Sequence, residues 1–271
     1  MTRPARALVA ITALVLVAGT AVAGFQLAHW QVPRPFQPPD GCVVTALGQS
    51  VSLEPEQAVN ATTIAAVAAR RGLPPHAVTI ALAAALQESK LRNLPAGDRD
   101  SIGLFQQRPS QGWGRPDQIR DPRYAAARFY ARLVQVHGWQ TIPVAVAAQQ
   151  VQRSADGSAY AYWEPAARSL AEGLTGHAGA GVACTYRHLR GSPANLRAAI
   201  QADFGVSLLD TPQPNPFRGW ALAGWLVAHA AQHRLATVSY LGRTWTASTG
   251  HWRPAGPVSA RVQVGAAPPT R

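Results

Sequence analysis

The chain has 271 residues, of which 47% are hydrophobic, and it carries a formal net charge of +12. This length and composition suffice for one good hydrophobic core and a second small one. A basic surface favours polyanionic partners such as acidic cell-envelope polymers. The arginines are scattered and accompany no nucleic-acid module, so nucleic acid is not an expected partner. No phosphate-binding glycine loop or Ser/His/Asp set stands out, which leaves nucleotide chemistry and serine hydrolysis unsupported.

The N-terminus has the pattern of an export signal. Arg3 and Arg6 precede an uncharged apolar run from residue 7 to residue 23, which ends in the small-x-small cleavage pattern Ala21-Val22-Ala23. A cleaved signal peptide and an uncleaved membrane anchor both fit residues 1–30, and both put the rest of the chain outside the cytoplasm. The proline-rich stretch 31–41 predicts a stiff, extended linker.

Two cysteines, Cys42 and Cys184, bracket the middle of the chain. In an exported protein an even pair is expected to be oxidised, and closing so long a loop contributes about 5 kcal/mol by the chain-entropy estimate. A free reactive thiol or a metal site is the competing interpretation, but no CxxC motif or Cys/His cluster accompanies the pair. We therefore predict a disulfide, no metal and no other cofactor.

Helical periodicity dominates the region between the cysteines, where strands are hard to find. Apolar spacing predicts helices over 55–71, 123–136, 144–153 and 162–174. The central helix begins near Val78, carries small alanines on one face and places Glu88 next on that stripe, at its C-terminal end. Burial there disfavours the charged form of an acid, which is what a general acid requires near neutral pH. The alternative is a glutamate that merely ends the helix and reaches solvent.

A polar turn follows this helix and leads into the run Gly103-Leu104-Phe105-Gln106. Together with Glu88-Ser89, this run resembles the lysozyme-like superfamily, in particular soluble lytic transglycosylases and goose-type lysozymes, with Phe105 in place of the usual methionine. The resemblance covers roughly residues 50 to 175, and the stretch 107–122 is similar to the actinobacterial branch. It implies a helical lysozyme-like domain that cleaves peptidoglycan outside the cytoplasm without a cofactor.

By this resemblance, Glu88 protonates the glycosidic oxygen between N-acetylmuramic acid and N-acetylglucosamine and then acts as a base. Closure of the muramyl 6-hydroxyl onto the anomeric carbon gives a 1,6-anhydro sugar, whereas a second carboxylate that positions water gives hydrolysis. Asp98 and Asp100 lie in the turn where goose-type lysozymes carry aspartates, so both outcomes stay open. Ordinary turn chemistry, in which each Asp accepts hydrogen bonds from backbone amides, is the competing interpretation.

The resemblance also implies substrate-binding residues. Ser89 follows the glutamate as in the family and either orients it or caps the turn, and Gln106 lines the groove. Trp113 suits stacking on a sugar ring and packing in the core about equally.

One motif of the family, Ala-Tyr-Asn-Ala-Gly, is missing. Gln149 or Gln152 substitutes for its amide, and Tyr160 or Tyr162 for its phenol; we assign Gln149 and Tyr160 as substrate-binding without excluding the others. The departure keeps open a second hypothesis, a catalytically inactive envelope protein that binds glycan.

The character of the chain changes beyond Cys184. Periodicity predicts helices over 193–204 and 218–233, and an alternating pattern around Leu241-Gly242 predicts a β-hairpin. The aromatic residues of this region suit its own core better than glycan stacking. His229 and His233 have the spacing of a metal pair but no third ligand nearby.

The sequence thus predicts a mainly α fold: a signal or anchor (1–30), a linker (31–41), a lysozyme-like domain (42–186), a small C-terminal α/β module (187–255) and a disordered tail (256–271). The expected function is that of an exported lytic transglycosylase, with goose-type hydrolysis and inactive glycan binding as alternatives. The expected partners are peptidoglycan strands, anionic wall polymers, and the membrane if the N-terminal segment stays uncleaved.

Overall fold

The computed structural model describes residues 39–154 and 157–268. The expected signal or anchor at 1–30 and most of the 31–41 linker lie outside the described residues. Within the described ranges, no helix combines the length and apolarity that a membrane crossing requires.

Helices and two antiparallel sheets make up the described fold. The strands are β1 (Gly41–Ala46), β2 (Gln49–Leu53), β3 (Val182–Thr185), β4 (Leu235–Tyr240), β5 (Arg243–Thr246), β6 (His251–Pro254) and β7 (Gln263–Ala266). The α-helices are α1 (Pro55–Arg70), α2 (Pro75–Ser89), α3 (Pro116–Ile119), α4 (Pro122–Leu133), α5 (Val144–Gln152), α6 (Ser158–Leu174), α7 (Leu196–Phe204), α8 (Pro216–Ala228) and α9 (Ala230–His233).

The fold is mixed α/β, so the prediction of a mainly α protein with a small α/β module is wrong. Helices hold 46% of the described residues and strands 16%. The strands form a three-stranded sheet of order β2-β1-β3 and a four-stranded sheet of order β6-β5-β4-β7. The first hairpin was missed because β1 and β2 have only six and five residues. Strands that short show few alternations, and the alanine-rich helices that follow dominate the pattern.

Turn geometry explains the first hairpin. Leu47 and Gly48 connect β1 to β2 with φ values of 52° and 72°, the positive angles that a two-residue hairpin turn requires. Buried and exposed residues alternate along β1 from Cys42 to Ala46, so one face of this sheet packs on the helices.

The predicted disulfide between Cys42 and Cys184 is confirmed. The two residues face each other in the register of β1 and β3. The covalent bond and the strand pairing therefore join the same two points of the chain, 142 residues apart.

Helix α2 is the centre of the core. Every residue from Ala77 to Leu86 is buried, as expected for a helix that is apolar on all sides. Its small alanines let α6 pack along it, and α5 and α1 cover other faces. Because α2 is enclosed in this way, the position at which Glu88 leaves the core is fixed by packing.

The residues beyond Cys184 belong to the same hydrophobic cluster as the helices before it. Helix α8 packs against α1, β3 and β4. The buried Asp203 of α7 accepts hydrogen bonds from Thr63 of α1 (3.1 Å) and Trp225 of α8 (2.8 Å), and it pairs with Arg123 of α4. One polar hub therefore joins four helices.

The second sheet continues into the C-terminal segment. The predicted hairpin around Leu241 and Gly242 is confirmed, because β4 and β5 pair across these two residues. The tail from 256 to 271 was expected to be disordered, but Gln263–Ala266 forms β7 and pairs with β4. The proline and glycine content of the tail suggested a backbone bonded only to water. Pairing with β4 instead satisfies the backbone groups of β7.

Candidate active site

Helix α2 delivers Glu88 to a cleft of about 500 Å³. The end of α2, the segment from Asp98 to Trp113 and the end of α5 form its walls. We call it the Glu88 cleft. Its lining is predominantly polar, which suits a carbohydrate better than an apolar ligand.

Hydrogen bonds behind the cleft hold the C-terminal end of α2 in place. Lys90 and Leu91 turn into the left-handed region with φ values of 54° and 61°. Asn60 of α1 donates to the carbonyl of Leu91 at 2.8 Å. The hydroxyl of Ser89 donates to the carbonyls of Ala85 (3.1 Å) and Leu104 (2.7 Å). Ser89 is buried, so the structure places this predicted substrate-binding residue behind Glu88 as a support.

Tyr160 meets Glu88 directly. This residue lies in the first turn of α6, and its hydroxyl donates to Oε1 of Glu88 at 2.6 Å. Burial, and then the hydrogen bond to Glu88, raise the pKa of the Tyr160 phenol, so the phenol stays protonated and remains a donor. Tyr162, the other candidate phenol, is 76% exposed. The structure therefore brings Tyr160 to the carboxylate but not Tyr162.

A tight loop holds Gln106 over the cleft. The backbones of Ile102 and Gln107 exchange two hydrogen bonds of 3.0 Å and close the loop between them. Gln106 has a φ of 46°, a conformation that costs roughly 1–3 kcal/mol for a residue other than glycine and tends to occur at functional sites. Its side-chain amide lies against Gly97, where any Cβ would come within 1.6 Å of Oε1 of Gln106. The loop thus puts the predicted Gln106 in the cleft lining.

The two candidate second carboxylates have different surroundings. Asp100 accepts hydrogen bonds from the backbone of Ser110 (2.8 Å) and from Nε of Arg108 (2.6 Å). Hydrogen bonds from Ser110 and Arg108 hold the pKa of Asp100 well below its usual range. This carboxylate is therefore a poor base with both its oxygens engaged. Asp98 lines the cleft with a side chain that is 90% exposed, 3.8 Å from Arg99.

The two candidate amides, those of Gln149 and Gln152, also have different surroundings. Gln152, the last residue of α5, lines the cleft and donates to the carbonyl of Phe105 at 2.7 Å. Gln149 donates instead to the carbonyl of Ser154 and packs against Gly157. The structure therefore places Gln152 at the cleft, whereas the assigned Gln149 contacts Ser154 and Gly157 and does not belong to the cleft lining.

Trp113 forms part of the cleft wall, and its indole ring is already covered. It is 2% exposed, and the guanidinium of Arg132 lies 3.5 Å from its ring centroid. Tyr124 donates to its carbonyl at 3.2 Å. The residue packs the wall and offers no open ring face for a sugar.

Sequence reasoning missed the arginines of the cleft. Arg99, Arg108 and Arg153 all line it, but no spacing rule marks an arginine for a cleft in a chain with 25 Lys and Arg residues.

No group of three or more His, Cys, Asp or Glu side chains within 39–154 and 157–268 could hold a metal ion. The chain matches no protein-family model and no curated protein sequence.

Proposed function

We propose that this protein is an exported enzyme that cleaves the glycan strands of peptidoglycan as a lytic transglycosylase, with Glu88 as the acid and the base. The observation that carries the proposal is the 2.6 Å hydrogen bond from Tyr160 to Glu88 at the edge of an open polar cleft. A buried phenol that orients a partly exposed carboxyl group is an arrangement suited to directed proton transfer.

In the proposed reaction, Tyr160 holds Oε1 of Glu88 while Oε2 gives its proton to the glycosidic oxygen. The bond between that oxygen and the anomeric carbon of N-acetylmuramic acid breaks, which leaves positive charge on the sugar ring. The Glu88 carboxylate then takes the proton of the muramyl 6-hydroxyl as its oxygen closes on the anomeric carbon. The product is a 1,6-anhydro sugar, and no water is consumed.

The engagement of Asp100 supports a mechanism with a single carboxylate. A base that activates water must be able to accept a proton. The hydrogen bonds from Ser110 and Arg108 favour the charged form of Asp100 and so oppose its protonation. Gln106 and Gln152 line the cleft with amide groups, which suit the N-acetyl groups of the substrate.

Hydrolysis is the second candidate, and the position of Asp98 favours it. This carboxylate lines the cleft together with Glu88 and is largely exposed, so it is the residue that would position water in a goose-type reaction.

Mass analysis of the products tests the proposal. Purified peptidoglycan is digested with the full chain and, in parallel, with Glu88→Gln, which keeps the size of the side chain but cannot transfer a proton. We expect anhydro-muropeptides from the wild type and none from Glu88→Gln. Reducing ends in the wild-type digest, lost in Asp98→Asn, would replace the proposal by hydrolysis. If neither protein releases fragments while both sediment with the wall, the protein binds glycan without cleaving it.

A further inference from the structure

Three arginines lie in or next to the part of the Glu88 cleft that Gln111 and Trp113 line, and none of them pairs with a carboxylate among the described residues. Arg132 stacks on Trp113 and donates to the carbonyl of Gln111 at 3.1 Å. Arg128 donates to the carbonyl of Gly112 at 3.2 Å. Arg153 follows α5 and lines the cleft with an exposed side chain. We call these three residues the arginine wall.

The other two arginines of the cleft are paired. Arg99 lies 3.8 Å from Asp98, and Arg108 lies 2.6 Å from Asp100. By contrast, no residue of the arginine wall forms an ion pair with any carboxylate of the described ranges. Among the described residues, the arginines in and next to the Trp113 side of the cleft therefore carry positive charge that no carboxylate neutralises directly.

The members of the arginine wall also repel one another. Burial lowers the pKa of Arg132, and the charges of Arg128 and Arg153 lower it further. Nε of Arg128 is buried and has no hydrogen-bond partner in the part of the chain that the structure describes. Like charges held together in a partly dry site are relieved by a bound anion, and a cleft focuses their field.

We infer that the arginine wall is a subsite for a carboxylate of the glycan substrate. The inference rests on the proposed function and adds the substrate's charge to it. The planar guanidinium group matches a carboxylate with two parallel hydrogen bonds. Peptidoglycan presents carboxylates in two places: the lactyl group of muramic acid when its peptide has been removed, and the stem peptide itself. A strand of N-acetylglucosamine alone has none.

Binding in the Glu88→Gln background tests this subsite without turnover. Full-chain Glu88→Gln is titrated calorimetrically with three ligands of equal glycan length: neutral N-acetylglucosamine oligomers, peptide-free peptidoglycan strands with free lactyl carboxylates, and strands with stem peptides. The same titrations are made with Arg153→Gln added. Arg253→Gln is the matched control, because Arg253 is also exposed, has the same charge and lies on β6 outside the cleft lining.

We expect Arg153→Gln to weaken binding of carboxylated strands about tenfold, the effect of one lost hydrogen-bonded charge. Binding of the neutral oligomer should change less than about twofold, and Arg253→Gln should have no effect on either ligand. A loss seen with peptide-free strands identifies the lactyl carboxylate as the bound group. A loss confined to peptide-bearing strands identifies the stem peptide.

The inference is overturned if Arg153→Gln and Arg253→Gln bind carboxylated strands equally well, or if Arg153→Gln loses the neutral oligomer to the same extent. These outcomes are separate from the digestion experiment. Cleavage without dependence on Arg153 would leave the proposed function standing and reject the subsite. Arg153-dependent binding without cleavage would do the reverse.

Discussion

At the scale of single residues, the site depends on a contact between two side chains that are 72 residues apart in the chain. Glu88 lies in the last turn of the buried helix α2, and Tyr160 lies in the first turn of α6, which packs along it. A hydrogen bond to a charged group contributes about 1.5–3 kcal/mol. The orientation of the Glu88 carboxyl group is therefore a property of helix packing.

The proposed mechanism predicts that removing the Tyr160 hydroxyl impairs catalysis more than stability. In Tyr160→Phe the ring that fills the core is kept, while the donor to Glu88 is lost. We expect kcat to fall about 10- to 100-fold, which corresponds to about 1.4–2.8 kcal/mol of transition-state stabilisation. Release of muropeptides over time gives kcat, and thermal unfolding checks the fold. Tyr162→Phe, at an exposed position, serves as the control and should retain full activity; equal rates for all three proteins would show that Tyr160 has no role in orienting Glu88.

At the scale of secondary-structure elements, the three-stranded sheet joins segments that are far apart in the chain. β1 pairs with β2 from the start of the described region and with β3 from beyond α6. The helices that carry Glu88 and Tyr160 both lie within the loop that the Cys42–Cys184 disulfide closes. The disulfide therefore restricts the conformations of the unfolded chain between Cys42 and Cys184, the segment from which the site is assembled.

Loss of the disulfide should lower the free energy of unfolding substantially. For a loop of 142 residues, the chain-entropy estimate for the double variant Cys42→Ala/Cys184→Ala is about 5 kcal/mol. Urea unfolding of the wild type and the double variant measures the difference. A reductant should destabilise the wild type and leave the double variant unchanged. A difference below about 1 kcal/mol would mean that strand pairing already restrains the same ends in the unfolded chain.

At the scale of the whole molecule, the described residues share one core, and two histidines stack on Trp225 beside its polar hub. His229 stacks on Trp225 with ring centroids 3.8 Å apart, and its Nδ1 lies 2.9 Å from the Trp225 carbonyl. Asp203, His233 and Arg123 are the charged or titratable groups that influence it. Burial lowers the pKa of His229 from 6.5 to about 4.

Because the pKa of His229 is lowered in the folded protein, we predict a loss of stability in mild acid. The unfolded chain binds a proton at His229 below about pH 6.5, whereas the folded protein does so only below about pH 4, so acidification favours unfolding in this window. The full contribution is present above pH 6.5, and about 3 kcal/mol is lost as the pH falls to about 4. Urea unfolding at several pH values measures the slope, which should flatten in His229→Gln. His251→Gln, at an exposed position, controls for the substitution; a wild-type slope in His229→Gln would place the titration elsewhere.

Several features of this protein follow from the sequence by itself. The long helices and the β4–β5 hairpin are encoded in the periodicity and turn residues of contiguous segments, which act before any tertiary contact exists. Cys42 and Cys184 left one possible intramolecular pairing, and the apolar stripe that ends at Glu88 located the carboxylate. The helices, the hairpin and the position of Glu88 depend on residues that are close together in the chain. The disulfide follows because two cysteines allow only one intramolecular pair.

Only the tertiary structure decided the rest. The β1–β2 hairpin gains its stability from β3, which lies more than 120 residues later, and a short strand without its partner has a weak local signal. The choice of Tyr160 over Tyr162, and of Gln152 over Gln149 for the cleft, depends on which face of α6 or α5 meets α2 and the loop from Ile102 to Gln107 that follows it. The arginine wall is assembled from α4 and the residue after α5. Packing between distant elements sets these contacts, and local sequence patterns do not contain that information.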